Sequence, residues 1–75
     1  MILNEIVRLG KLLYSQKIRN EVGSVNMGKY LVIDILTGNY CIGASHLEAA
    51  HCVRTNNPNG VFFGMRVGYP TFGKI

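Results

Sequence analysis

The sequence predicts an α+β fold of element order αββαβ. An N-terminal amphipathic helix precedes a β-hairpin, a second helix and a third strand, with the strands in a three-stranded antiparallel sheet of order 2-1-3. Three observations predict it: an N-terminal apolar stripe of helical period, two strand-like runs around a glycine turn, and a helix-capping motif before a last apolar run. The 75 residues suffice for one small domain, 1–75, with the helix in 1–22 and a ββαβ unit in 29–70.

The first helix is predicted from Leu3 to about Glu21. Its apolar positions recur at spacings of four, three and four residues and form one stripe, which consists of Ile2, Ile6, Leu9 and Leu13. The opposite sector is polar and basic and collects Arg8, Lys11, Ser15 and Arg19. Gly10 inside the helix costs about 1 kcal/mol relative to alanine, and we interpret it as a tolerated residue rather than as a sign of close packing.

The hairpin is predicted to consist of Lys29–Ile35 and Asn39–Ile42, because both runs are rich in branched and aromatic residues. Gly38 is suited to a positive φ in the turn between them. The first run is apolar at nearly every position, which favours a central strand.

A reciprocal capping box between Ser45 and Glu48 opens the second helix, predicted from His46 to about Thr55. The segment 56–60, Asn-Asn-Pro-Asn-Gly, ends it, and Val61–Val67 follows as the third strand. A right-handed crossover through this helix returns the chain beside the first strand, which gives the order 2-1-3.

Side chains alternate across a strand, so the sheet has two faces. We expect one face to be the core, formed by Leu31, Ile33, Ile35, Tyr40, Ile42, Val61, Phe63, Met65 and Val67. The second face consists of Tyr30, Val32, Asp34, Cys41, Phe62, Gly64, Arg66 and Gly68. It is too apolar for ordinary surface, and we expect the first helix, a second copy of the chain or another protein to cover it. Asp34 and Arg66 are expected to pair across the ladder at the surface.

Composition narrows the class of protein. With 48% hydrophobic residues, 16% charged residues and a mean hydropathy of +0.18, intrinsic disorder is excluded. Eight Lys and Arg against four Asp and Glu give a net charge of +4, so polyanions are conceivable partners, although the basic residues are dispersed. The N-terminus has no signal-peptide pattern and no apolar run approaches a membrane span, so we expect a cytoplasmic protein without a membrane partner.

The sequence gives little support for a catalytic site or a metal site. Two cysteines are too few for a disulfide-dense scaffold, and both are expected to be reduced. Cys41, His46, His51 and Cys52 are the only soft-metal ligands, but His46 and His51 lie about 140° apart around a helix, so no metal site is expected. A nucleophilic set of Cys41, a histidine and Asp34 lacks an oxyanion hole and a cleft. We expect no enzyme, no cofactor and no small-molecule substrate.

The chain resembles a family of small bacterial proteins, frequent in cyanobacteria, that have no assigned activity. The resemblance is carried by Gly28–Asp34, Thr37–Gly43, Leu47–Ala49, Arg54 and Arg66–Pro70. The chain departs from the family pattern at 56–60 and at Met27. Genes of this family often lie beside one for a retropepsin-like aspartic protease, so the resemblance implies a small partner of a neighbouring protein, antitoxin-like or inhibitory.

The leading hypothesis is therefore a non-enzymatic protein-interaction module that binds another protein or a second copy of itself. Its expected contact residues lie on the second face and are Tyr30, Val32, Asp34, Phe62 and Arg66. The alternative is a small basic nucleic-acid-binding domain, in which Arg66 acts with the aromatic residues or with the basic helix face. The cations of that alternative are Arg8, Lys11, Arg19 and Arg66.

Overall fold

A computed structural model describes residues 2–69 and 72–74. Residues 1, 70, 71 and 75, and with them the predicted end of the ββαβ unit at 70, lie outside the described residues. The helical elements are α1 (Leu3–Leu13), a π-helical turn (Tyr14–Ile18), α2 (Arg19–Val22), a 3₁₀ turn (Ser24–Asn26) and α3 (His46–Asn56). The strands are β1 (Tyr30–Asp34), β2 (Tyr40–Gly43), β3 (Phe62–Arg66) and β4 (Phe72–Lys74).

The strands form one antiparallel sheet of order β2-β1-β3-β4. The predicted α+β class, element order and strand order 2-1-3 are thereby confirmed. β4 adds a strand outside β3 that the sequence analysis did not predict, because a run of three residues is too short to show a strand period. Each helix and strand that was predicted ends within about two residues of its predicted bounds, the usual uncertainty of element ends.

A helix packs on each face of the sheet, which makes three layers. The first face and the N-terminal helical segment form one cluster, with Ile6, Ile18, Val22, Leu31, Ile33, Phe63, Met65 and Val67 as its buried members. The second face and α3 form another cluster, which contains Val32, Cys41, Ala49, Ala50, Val53 and Phe62. The expectation of a second face needing cover from the first helix or a partner is therefore wrong, because the crossover helix α3 itself lies on that face.

The π-helical turn explains how the N-terminal segment keeps one buried side over its whole length. At 100° per residue, Ile18 would lie about 120° from Ile6 around a regular helix, and Val22 about 160°. One extra residue in the turn removes about 100° and brings both side chains back over the sheet. Ile18 and Val22 are indeed buried with Ile6, although neither belongs to the predicted stripe.

Gly10 lies where the first helix crosses β3. A Cβ atom at this position would overlap the ring of Phe63. Both residues are buried, so the helix backbone rests directly on the aromatic ring. The interpretation of Gly10 as merely tolerated is wrong, since the close approach requires a residue without a side chain.

One local prediction is confirmed and a second is confirmed in part. Gly38 has a φ of 83° in the hairpin turn. The Ser45 hydroxyl accepts a hydrogen bond of 3.2 Å from the Glu48 N–H at the start of α3, which is one half of the predicted reciprocal capping box. The return bond from the Glu48 carboxylate stays a prediction. Both depend on neighbours in sequence alone, which is why the sequence predicts them well.

Cys41 and Cys52 form a disulfide with their Cα atoms 6.1 Å apart. The expectation that both thiols are reduced is wrong for this structure. Cys41 lies on the face of β2 that α3 covers, and Cys52 lies on α3 above it, a proximity that a count of cysteines does not show. The bond links the edge strand β2 to the helix packed on it.

Candidate interaction surface

Three of the five residues predicted to contact a partner are buried inside the protein itself. Val32 and Asp34 are 0% exposed and Phe62 is 6% exposed, all beneath or beside α3. Tyr30 and Arg66 are half-buried and reach the surface. The predicted contact surface is therefore wrong for Val32, Asp34 and Phe62.

Asp34 holds the hairpin turn rather than an arginine. Its Oδ1 accepts from the Leu36 N–H at 3.0 Å, and its Oδ2 accepts from the Asn57 amide at 2.6 Å. The strand register pairs Asp34 with Phe62 and Arg66 with Tyr30, so Asp34 and Arg66 lie at opposite ends of the ladder. The expected ion pair between them is wrong. Val32 pairs with Gly64 at the middle of the ladder, so Asp34 and Arg66 lie two residues from this middle in opposite directions.

Arg66 belongs instead to a row of rings at the other end of β1 and β3, which we call the tyrosine–arginine row. Its guanidinium carbon lies 5.2 Å from the centre of the Tyr30 ring and 4.2 Å from that of Tyr69. Its Nε donates to the Gly28 carbonyl at 2.9 Å, and Tyr30 meets His46 edge-on at 4.7 Å. These contacts connect the segment before β1 to β3 and to α3. The rings of the row therefore already make cation–π and ring contacts within the protein itself.

An apolar opening lies on the other side of the sheet, between the N-terminal helical segment and the end of β3. This helix–sheet groove has a volume of about 460 Å³. Its floor is formed by buried Met65 and Val67, and its walls include Tyr14, Arg19, Met27 and Tyr69. Met27 is 60% exposed at the rim, and Val25, two residues earlier in the chain, is 86% exposed. An apolar side chain entering the groove would cover surface that water now contacts.

A second depression of about 510 Å³ continues from the groove along the helix. It is lined by Arg8, Lys11, Leu12, Tyr14 and Ser15. Tyr14 and Ser15 of the π-helical turn line both depressions, so the two meet at that turn. π-helical turns are rare and occur frequently at functional sites. The sequence carries no signal for this turn beyond the phase shift of the buried positions after it.

The four cations of the nucleic-acid alternative do not form one surface. Arg8, Lys11 and Arg19 are exposed along the two depressions. By strand alternation Arg66 lies on the α3 side of the sheet, opposite to them. The structure thus supports a patch of three basic residues, and it separates Arg66 from that patch.

The Tyr40 hydroxyl joins β2 to the N-terminal helical segment. Burial raises the pKa of Tyr40, and a hydrogen bond to the Glu21 carboxylate and the charge of that carboxylate raise it further. Glu21 is thereby turned toward the β2 side and away from the helix–sheet groove.

Among the described residues, no helix is long and apolar enough to cross a membrane.

Comparison with known proteins adds no relationship: no protein-family model, curated protein or solved structure matches this chain.

Proposed function

We propose that this protein is a non-enzymatic protein-interaction module that binds its partner through the helix–sheet groove. The observation that carries the proposal is the open groove itself, in which exposed Met27 and Tyr69 stand above the buried apolar floor of Met65 and Val67. Exposed Met27 at the rim strengthens it, because flexible methionine side chains adapt to apolar partners. Of the tyrosine–arginine row only Tyr69 also lines the groove, and Tyr30 and Arg66 are not part of the proposed contact.

The proposed partner is another protein or a second copy of this chain. The family resemblance supports a role as a small partner of a neighbouring protein, antitoxin-like or inhibitory, and makes a retropepsin-like aspartic protease the first protein to test. The absence of a reaction is part of the proposal, since the groove presents apolar and basic groups rather than a nucleophile with a base.

A matched pair of variants tests the groove. The full chain is used to capture proteins from its host, and the dissociation constant of each identified protein is then measured by calorimetry. Sedimentation of the chain alone across dilution tests self-association. Met27→Glu places a charge at the groove rim and should weaken binding or dimerisation about tenfold or more, because the new carboxylate would have to lose its water when a partner binds. Leu47→Glu is the control, since Leu47 is 78% exposed on α3, across the sheet.

Two outcomes would contradict this proposal. One is a strictly monomeric chain from which no partner can be recovered. The other is a partner or dimer whose affinity falls equally in Met27→Glu and Leu47→Glu, since a general effect of added charge would then explain the loss.

Nucleic-acid binding is the second candidate, and the exposed trio Arg8, Lys11 and Arg19 favours it. Affinity for a labelled single-stranded oligonucleotide should then fall steeply as salt rises, with a slope that reports the number of phosphate contacts. The double variant with Arg8→Glu and Arg66→Glu should remove only part of this affinity, because Arg66 lies across the sheet. Binding that scarcely responds to salt supports the apolar groove instead.

A cytoplasmic location is likewise a proposal. The Cys41–Cys52 disulfide opposes it, because disulfides persist in oxidising compartments and are rare in the cytosol. In a cytoplasmic protein we expect the pair as thiols. Blocking free thiols with N-ethylmaleimide in intact host cells decides between the two: modification of both cysteines supports the cytoplasm, and an unmodified pair contradicts it.

A further inference from the structure

The two depressions on the N-terminal helical segment form one continuous surface with a single sign of charge. They meet at Tyr14 and Ser15, and the cations along them are Arg8, Lys11 and Arg19. The described residues that line them include no aspartate or glutamate. We call this surface the basic track.

None of the four Asp and Glu residues is among the described residues that line the two depressions. Asp34 is buried in the hairpin turn, Glu21 bonds Tyr40, and Glu48 lies in the first turn of α3. Glu5 lies in the first turn of α1 and lines neither depression. The lining of the basic track therefore carries cations and no aspartate or glutamate, and an incoming anion meets the exposed Arg8 and Arg19 there.

We infer that the basic track binds an acidic protein segment whose apolar side chain enters the helix–sheet groove while its carboxylates meet Arg19 on one side of the π-helical turn and Arg8 on the other. The inference rests on the proposed function and specifies the chemistry of its partner. Guanidinium and ammonium groups form charge-assisted hydrogen bonds with carboxylates, and the groove floor supplies the apolar contact between them.

Two other occupants fit the surface less well. A nucleic acid offers phosphates to the cations but no aliphatic side chain for the groove, and Tyr30 and Arg66 lie on the other face of the sheet. A second copy of the chain brings a net charge of +4 to a surface that is itself basic, and the two copies repel one another.

The π-helical turn lies at the middle of the basic track, where the two depressions meet. Tyr14 and Ser15 lie in the wide turn where the backbone bonds reach five residues instead of four, and both residues line each of the two depressions. Deleting the exposed Gln16 should convert the turn into regular α-helix and still leave Ile18 and Val22 over the sheet. That deletion changes the track without removing a core side chain.

The test uses a displayed library of random peptides, selected on the full chain. Enriched peptides should combine an apolar residue with flanking Asp or Glu. Their affinity should fall about tenfold or more in the double variant with Arg8→Glu and Arg19→Glu, as expected when charge-assisted contacts are reversed. The double variant with Lys29→Glu and Arg54→Glu is the control, since it changes the net charge equally and alters neither depression. A folded Gln16 deletion should also bind more weakly than the wild type.

The outcomes separate this inference from the proposed function. If neutral or basic apolar peptides are enriched and only Met27→Glu weakens them, the groove binds protein but the acidic partner is wrong. If both double variants weaken binding equally, the track has no special part and the inference fails. If no enriched peptide depends on Met27, the proposed function fails with it. A single-stranded oligonucleotide that outcompetes every enriched peptide would assign the track to nucleic acid and overturn the inference.

Discussion

At Gly10, helix propensity and packing make opposite predictions for alanine. In an exposed helix, replacing glycine by alanine stabilises by about 1 kcal/mol. Here the added methyl group overlaps the Phe63 ring, and both residues are buried. The sign of the effect therefore reports whether the helix backbone rests directly on β3.

We expect Gly10→Ala to lower the free energy of unfolding by about 1–3 kcal/mol, the usual cost of overpacking a core. Urea denaturation measures it. Asn20→Ala, at an exposed helical position, is the control and should be neutral or slightly stabilising. Replacing the aromatic ring by a smaller side chain in Phe63→Leu should reduce the loss of unfolding free energy that Gly10→Ala causes. A stabilised Gly10→Ala protein would show that the helix does not lie against the ring.

The raised pKa of Tyr40 predicts how the stability of the fold depends on pH. Its pKa in the folded protein lies above the ordinary value of about 10, chiefly through burial and then through Glu21. Because the folded state favours the neutral phenol, this group contributes stability that is present below about pH 10 and is lost as pH rises through the folded pKa.

Glu21→Gln should lower the pKa of Tyr40 toward its ordinary value, because the variant removes the neighbouring negative charge. Ultraviolet difference titration measures it, with Tyr40→Phe to identify the signal. Glu5→Gln makes the same change of charge in α1 and should leave the Tyr40 titration where it is. An unchanged titration in Glu21→Gln would contradict the contact between Glu21 and Tyr40.

At the scale of elements, the disulfide joins the edge strand β2 to α3 across 11 residues of sequence. Closing a loop of this length is expected to stabilise the folded state by about 3 kcal/mol through the unfolded chain. The bond therefore contributes a large share of stability in a domain this small.

Cys52→Ser should lower the free energy of unfolding by about 2–3 kcal/mol relative to the oxidised protein. Cys52 is the better site for the substitution, because it is exposed while Cys41 is buried. Under a thiol reductant, wild type and Cys52→Ser should unfold at nearly the same urea concentration. A difference that persists under reductant would mean that the serine acts by something other than loss of the bond.

At the scale of the whole molecule, β1 is the element with most cover. It pairs with β2 on one side and β3 on the other, and each of its faces is packed by a helix. The 3₁₀ turn at Ser24–Asn26 and the hairpin turn lie at the ends of this arrangement.

Native-state hydrogen exchange should follow the same order. We expect the slowest amides in β1 and β3, which open only when the sheet does, and the fastest in the 3₁₀ turn and at the outer edge of β2. Heteronuclear NMR of the exchanging protein measures these rates residue by residue. Comparable protection in the 3₁₀ turn and in β1 would contradict the three-layer arrangement.

Much of the fold could be predicted from the sequence, and much less of the candidate surface. Ser45, Glu48 and Gly38 act within a few residues of themselves, so their roles are visible in the sequence. The burial of Val32 and Phe62 depends on which face α3 packs against, which alternation of side chains does not determine. Ile18 and Val22 were missed because a regular helical period places them away from the stripe.

The sequence by itself determined the α+β class, the order of helices and strands, and the central place of β1, because capping, turn chemistry and periodicity are short-range properties. Only the tertiary structure decided that both sheet faces are covered, that Cys41 meets Cys52, and where the open groove lies. These depend on distances between segments far apart in the chain, and the same local pattern is compatible with a helix on either face of a sheet.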